Sequence, residues 1–219
     1  MGVVTQTTEE VQSNLDWHID KTSGVGIKVD TTTPTFPWRD LIGLVLPDPV
    51  VTTRPSIAAF QTGVNAYEYQ NGDKLNCIFH MPHDYVPGSD MFLHLHWGHN
   101  GTAISGTFEA TAVCSYGSRD GVFGSPVTTT ITDAGLTIGA CPQYCHPVTE
   151  VQLTAASPSA AQLDSDNLEV DGLVMVTFTV TTNPTITGGT SALPFIFTGD
   201  IHYQSTGIGT KQNASPFYT

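Results

Sequence analysis

Residues 79–99 read FHMPHDYVPGSDMFLHLHWGH and hold five of the eight histidines in the chain. After the turn Pro87-Gly88-Ser89-Asp90, the run Met91–Trp97 alternates: His94 and His96 are separated by one residue, and Leu93, Leu95 and Trp97 fall between and beyond them. A period of two places successive side chains on opposite faces of a strand. His94 and His96 are therefore expected to share one substantially buried face, turned inward or toward an interface. The three apolar residues face the other way.

The same alternation, broken by Gly, Pro and Asn at strand spacing, continues on both sides of this run. Strands are expected over Ile57–Thr62, Ala66–Gln70, Lys74–His80, Met91–Trp97, Thr107–Tyr116, Val127–Thr132, Val148–Thr154, Gly172–Thr182 and Leu193–Gln204. Asn71-Gly72-Asp73 reads as a hairpin turn, and Asn100-Gly101 opens another turn. Only Ser159–Leu163 carries a trace of helical period. Many short strands with such punctuation predict an all-β sandwich or closed barrel. The long connections at 117–126, 133–146 and 155–170 favour a jelly-roll-like β-sandwich, occupying residues 36–219. Residues 1–35 lack a sustained period and reach prolines at Pro34 and Pro37, the pattern of an extended N-terminal arm. Trp17 and Trp38 would be out of place in a free tail. They predict that the arm docks on a neighbouring subunit.

Composition narrows the function. Hydrophobic residues make up 39% of the 219, enough for a core, whereas charged residues are only 12%, about half the usual share of roughly 25%. Hydroxyl and amide side chains must then supply the polar surface, which suits contact with other proteins because few charges need desolvating. The net charge of −13, with seven Lys and Arg, argues against nucleic acid and anionic membrane surfaces as partners. No apolar run is long enough to span a bilayer, and the start of the chain lacks the pattern of a signal peptide. Assembly in a cytoplasm is the expectation. Cys77, Cys114, Cys141 and Cys145 are accordingly expected to be packing thiols without disulfides. Cys141, Cys145 and His146 have no second cysteine pair to complete a zinc knuckle.

The histidines allow two readings. Gly88, then after five residues His94-Leu95-His96, is similar to the start of the first cupin motif. Asn100 or Gly101 stands where that motif expects Glu, and no second motif follows. Asp200 and His202, also one residue apart, would complete a site if their strand lies beside His94. His94, His96 and His202 are thus candidate ligands of a divalent metal ion. The competing reading, which the sequence favours, makes these imidazoles hydrogen-bonding groups that fix a structural sandwich. His83 is expected to cap backbone groups in a turn, and His99 to be exposed. Asp164, Asp166, Glu169 and Asp171 read as a solvated loop rather than a calcium site. No GxSxG elbow, phosphate-binding glycine loop or HExxH is present, so no residue is assigned a catalytic role.

Several separated segments, in order, resemble a family of tailed-bacteriophage structural proteins. They are Lys28–Thr31 with Pro34–Leu41, then Met81–Asp90, His94–Trp97, His146–Glu150, Asp200–Ser205 and Gly209–Lys211. The resemblance implies a virion component without placing it in the particle. The expected function is non-enzymatic: a capsid decoration or cement protein on the head exterior, assembled in the host cytoplasm. Its expected contacts are the major capsid protein or other virion proteins, and its expected state is a homotrimer. A tail, knob or fibre subunit is the alternative within that class. Outside it stand a cupin-like metal-dependent enzyme using His94, His96 and His202, and a glycan-binding module, since exposed Trp and Tyr beside Asp and Asn suit sugars.

Overall fold

A computed structural model describes residues 18–19, 27–28, 36–48 and 55–207. In chain order the strands are β1 (His18–Ile19), β2 (Ile27–Lys28), β3 (Trp38–Gly43), β4 (Leu46–Pro47), β5 (Ser56–Gln61), β6 (Val64–Glu68), β7 (Lys74–His80) and β8 (Phe92–Gly98). They continue as β9 (Ala103–Gly117), β10 (Val127–Thr137), β11 (Val148–Gln152), β12 (Thr154–Ala155), β13 (Leu163–Asp164), β14 (Leu173–Thr182), β15 (Thr185–Thr187) and β16 (Phe195–Gln204).

Twelve of these build two antiparallel six-stranded sheets. One runs β3-β16-β8-β11, with β6 and β5 continuing beside β16; the other runs β7-β14-β9-β10, with β4 at its edge and β15 beside β9. Numbering the eight principal strands in chain order, the sheets read 1-8-3-6 and 2-7-4-5. Consecutive strands alternate between sheets except at the β9–β10 hairpin, the double Greek key of a jelly roll. The chain is an all-β sandwich of this kind.

Alternation explains which side of each strand faces the core. On β7, Leu75, Cys77 and Phe79 are buried; on β14, Val174, Val176, Phe178 and Val180 are buried. On β8 the buried set is Leu93, Leu95 and Trp97. Trp97 stacks on Phe108 of the opposite sheet with ring centroids 4.6 Å apart, and its indole N–H donates to Thr149 Oγ1 at 2.9 Å. The largest core side chain thus has one face stacked on an aromatic ring and its polar edge satisfied.

Trp38 opens a strand that the pattern did not mark, β3, which pairs with β16 over Trp38–Gly43 inside the expected sandwich. Three expectations are corrected. Asn71-Gly72-Asp73 does not close a hairpin: β6 belongs to one sheet and β7 to the other, so the turn crosses the sandwich. Gly72 supplies the positive φ of 91° there, and Asp73 accepts from the Gln70 N–H at 2.9 Å. Residues 159–163 are not helical; the nearest helical turn is a 3-10 segment at Ser165–Asn167, capped by Asp164. Finally, Cys141 and Cys145 form a disulfide, because two successive tight turns bring their Cα atoms to 5.5 Å. Cys77 and Cys114 are buried free thiols, as expected. Of the arm, His18–Ile19 pairs with Ile27–Lys28; Trp17 and most of residues 1–35 lie outside the described residues.

Candidate functional site

The alternation that buries Leu93, Leu95 and Trp97 in the core turns Phe92, His94 and His96 to the outer face of the same sheet. The expected shared face is therefore the outside of the sandwich and not a barrel axis. Register then brings neighbours alongside. Asp200 and His202 of β16 stand opposite His94 and Phe92, and Glu150 of β11 stands opposite His94 on the other side. Ile42 and Asp40 of β3 pair with Asp200 and His202. Residues opposite one another in an antiparallel pair share a face, so four strands contribute to one surface.

At its centre two imidazoles converge on one carboxylate oxygen. His94 Nδ1 and His96 Nε2 each lie 3.2 Å from Asp200 Oδ1. Asp200 is only 4% exposed and His94 is buried, while His96 is half-buried. The remaining ring nitrogens have partners too: His94 Nε2 is 2.7 Å from Glu150 Oε2, and His96 Nδ1 is 2.9 Å from His146 Nε2. His202 stands beside His94, with ring centroids 5.2 Å apart, but its Nε2 points to Asp40 Oδ1 at 3.9 Å. The structure thus joins His94 and His96 through Asp200, and joins His202 to His94 and Asp40 in a second group.

The electrostatics follow from these contacts. The Asp200 carboxylate raises the His94 imidazole above its ordinary value; burial opposes the rise and Glu150 adds to it. Burial would raise Asp200, but hydrogen bonds and charge from His94 and His96 outweigh it and hold the carboxyl below the ordinary carboxylate range. His146 is lowered, by burial first and then by the neighbouring charge of His96.

Trp38 lies at the edge of this surface, 43% exposed. Its ring packs against Phe92 at 5.6 Å and His202 at 4.9 Å. Beyond the other end is a pocket of about 380 Å³ lined by Phe60, Tyr144, Gln61, Gln143, Asn100 and Gly188–Thr190.

One other histidine expectation is corrected: His99 is fully buried, its Nε2 bonded to the Cys141 carbonyl at 3.0 Å, because the 137–145 turns fold over it. His83 meets a carboxylate, 2.9 Å from Asp171 Oδ1. Asp171 also takes Arg119 Nη1 at 2.8 Å and so departs from the solvated-loop reading. Glu150 and His146 were the partners that sequence reasoning did not attach to the site. The signal for Glu150 was its alternation with Thr149 and Val151, which only register converts into a neighbour of His94.

The segments of the phage resemblance that are described lie together. Trp38–Leu41 is on β3, His94–Trp97 on β8, Val148–Glu150 on β11 and Asp200–Gln204 on β16. The Met81–Asp90 loop is tied to the end of this sheet by Asp84, which pairs with Arg39 at 3.1 Å and accepts from Tyr203 at 3.0 Å and Ser205 at 2.5 Å.

No family model matches the chain, and no curated protein matches it. Among solved structures it is similar to a xylan-binding module, CBM15, at 11% identity over 74% of this chain and 97% of that one, with a TM-score of 0.32. It is similar to a family 11 carbohydrate-binding module from Clostridium thermocellum, solved with a beta-1,3-1,4-mixed-linked tetrasaccharide: 13% identity, 80% and 94% coverage, TM-score 0.31. A third is the enzymatically active domain of tailspike protein 4 of bacteriophage CBA120, at 11% identity and TM-score 0.27, where 76% of this chain covers 18% of that one. Likeness at this level bears on neither ligand nor activity.

Proposed function

We propose that the chain is a non-enzymatic virion structural protein, a homotrimeric decoration or cement subunit on the exterior of a phage head. The observation that carries the reading is the convergence of the resembling segments. Scattered between residues 38 and 205, they assemble into one sheet and the loop anchored to its end. This sheet gathers the residues that carry the resemblance, and its outer face is the surface offered to the particle. That face presents large apolar groups at its margins, Trp38, Ile42 at 74% exposure and Val148. Its central acids are engaged by histidines, so little bare charge needs desolvating on contact. Reconstruction of the purified particle tests the placement. The double Greek-key sandwich should appear on the head exterior, with this sheet against the capsid lattice. Density for it on the tail, or its absence from purified particles, would overturn the reading.

The pocket beside Tyr144 supports a second reading as a glycan-binding module. An exposed aromatic ring beside amides and backbone groups matches the stacking and hydrogen bonding that sugars offer. Screening against a glycan array tests it: binding should appear, and should vanish in Tyr144→Ala. A blank array ends this reading.

A further inference from the structure

We propose that His94, His96 and Asp200 form a binding site for one divalent transition-metal ion, of which zinc fits the donor set best. These three side chains would hold the ion whether or not the protein belongs to a virion. The first ground is spacing. Two donors each about 2.1 Å from a shared ion, at angles between octahedral and tetrahedral, stand roughly 3.0–3.4 Å apart. Asp200 Oδ1 is 3.2 Å from both His94 Nδ1 and His96 Nε2, and the three donor atoms lie within 4.8 Å of one another.

The second ground is the outer partners. A histidine that ligates through one nitrogen needs its other N–H bound, commonly to a carboxylate, which fixes the tautomer and ring orientation. His94 meets this condition: with Nδ1 toward the ion, its Nε2–H donates to Glu150 at 2.7 Å. His96 meets it as well, with Nε2 toward the ion and Nδ1–H donating to His146 Nε2 at 2.9 Å. One tautomer on each ring satisfies both outer contacts and turns both inward lone pairs toward Asp200, where the ion replaces the two protons that otherwise bridge to the carboxylate. The carboxylate–histidine–ion–carboxylate line through Glu150, His94 and Asp200 runs straight across three paired strands.

The third ground is rigidity. All three donors sit in the interior of β8 and β16, on paired positions, with Trp97, Leu95 and Ile201 packed beneath them. Two imidazoles and one carboxylate suit zinc, iron, manganese or nickel and are too nitrogen-rich for calcium or magnesium. The set differs from His94, His96 and His202, because His202 turns toward Asp40. The remaining coordination positions open outward, where water or a neighbouring donor completes the shell.

The test is titration of chelator-treated full-length protein, disulfide intact, with Zn²⁺ by calorimetry at neutral pH. One equivalent per chain should bind. Asp200→Asn and His96→Gln should each weaken it at least tenfold, and Glu150→Gln by about tenfold or more. Asp40→Asn should leave the affinity unchanged. Because Asp200 is buried, circular dichroism of each variant checks the fold, and the half-exposed His96→Gln decides if Asp200→Asn unfolds. No binding at millimolar Zn²⁺ would overturn the proposal. So would binding that survives His96→Gln.

Discussion

At the scale of single residues, Trp97 shows how one side chain links sequence to site. It fills the core beneath His96 and keeps its only polar atom bonded to Thr149. Thr149→Val keeps the shape and removes the acceptor, so a buried N–H is left unpaired at a cost of about 1–3 kcal/mol. Urea unfolding should show that loss, and a change below roughly 0.5 kcal/mol would mean the indole has another partner. Alternation made it legible that Trp97 lies on the face opposite the two histidines, but not that this face is the core. Its partner was not legible, because Thr149 lies 52 residues away and only register brings it near.

At the scale of elements, β3 and the loop around Asp171 carry separate predictions. β3 covers the edge of β16 and places Leu41 against the core. Removing residues 1–35 should leave the melting temperature of the β-domain nearly unchanged and weaken attachment to the particle. Removing residues 1–43 should lower the melting temperature sharply or prevent folding, since it strips a strand from β16. Differential scanning calorimetry of the two truncations distinguishes them, and equal loss in both would place the first 35 residues in the core.

Asp171 ties its own loop to the end of β7 through His80, and to the loops after β7 and β9 through His83 and Arg119. Burial would raise its carboxyl, but hydrogen bonds from His83 and Arg119 hold it below the ordinary range. A carboxyl depressed in the folded state contributes stability above its unfolded pKa, about 3.9, and loses it as pH falls through the folded value. Urea midpoints should therefore drop below about pH 4, and less steeply in Arg119→Met than in the native chain. Identical slopes in the two proteins would remove Asp171 from the acid transition.

At the scale of the whole molecule, the second sheet has an unusual exterior. Ile78 pairs with Met175, and one row away Leu46, Asn76, Thr177 and Val113 pair across four strands. Leu46, Ile78, Val113 and Met175 are all exposed, making an apolar patch on the face opposite the histidines. Symmetric association would bury it, and it is where the proposed trimer closes. Light scattering should give three times the chain mass, falling to the monomer in Ile78→Asp with Met175→Asp. A native monomer at every concentration would rule the trimer out.

By itself the sequence determined the class of fold and the place of seven of the eight principal strands, all but β3, because period-two alternation and turn residues act over a few residues at a time. It determined that His94 and His96 share a face for the same reason. Which face became the outside, and what stands beside it, was decided only by tertiary structure. Glu150, His146 and Asp200 reach the two histidines from 50 to 104 residues away, through strand order that no local pattern encodes. The crossing of Asn71-Gly72-Asp73 from one sheet to the other was decided in the same way. A turn sets how sharply the chain bends, but the strand it leads into pairs wherever its apolar side is best buried, and for β7 that place is beside β14.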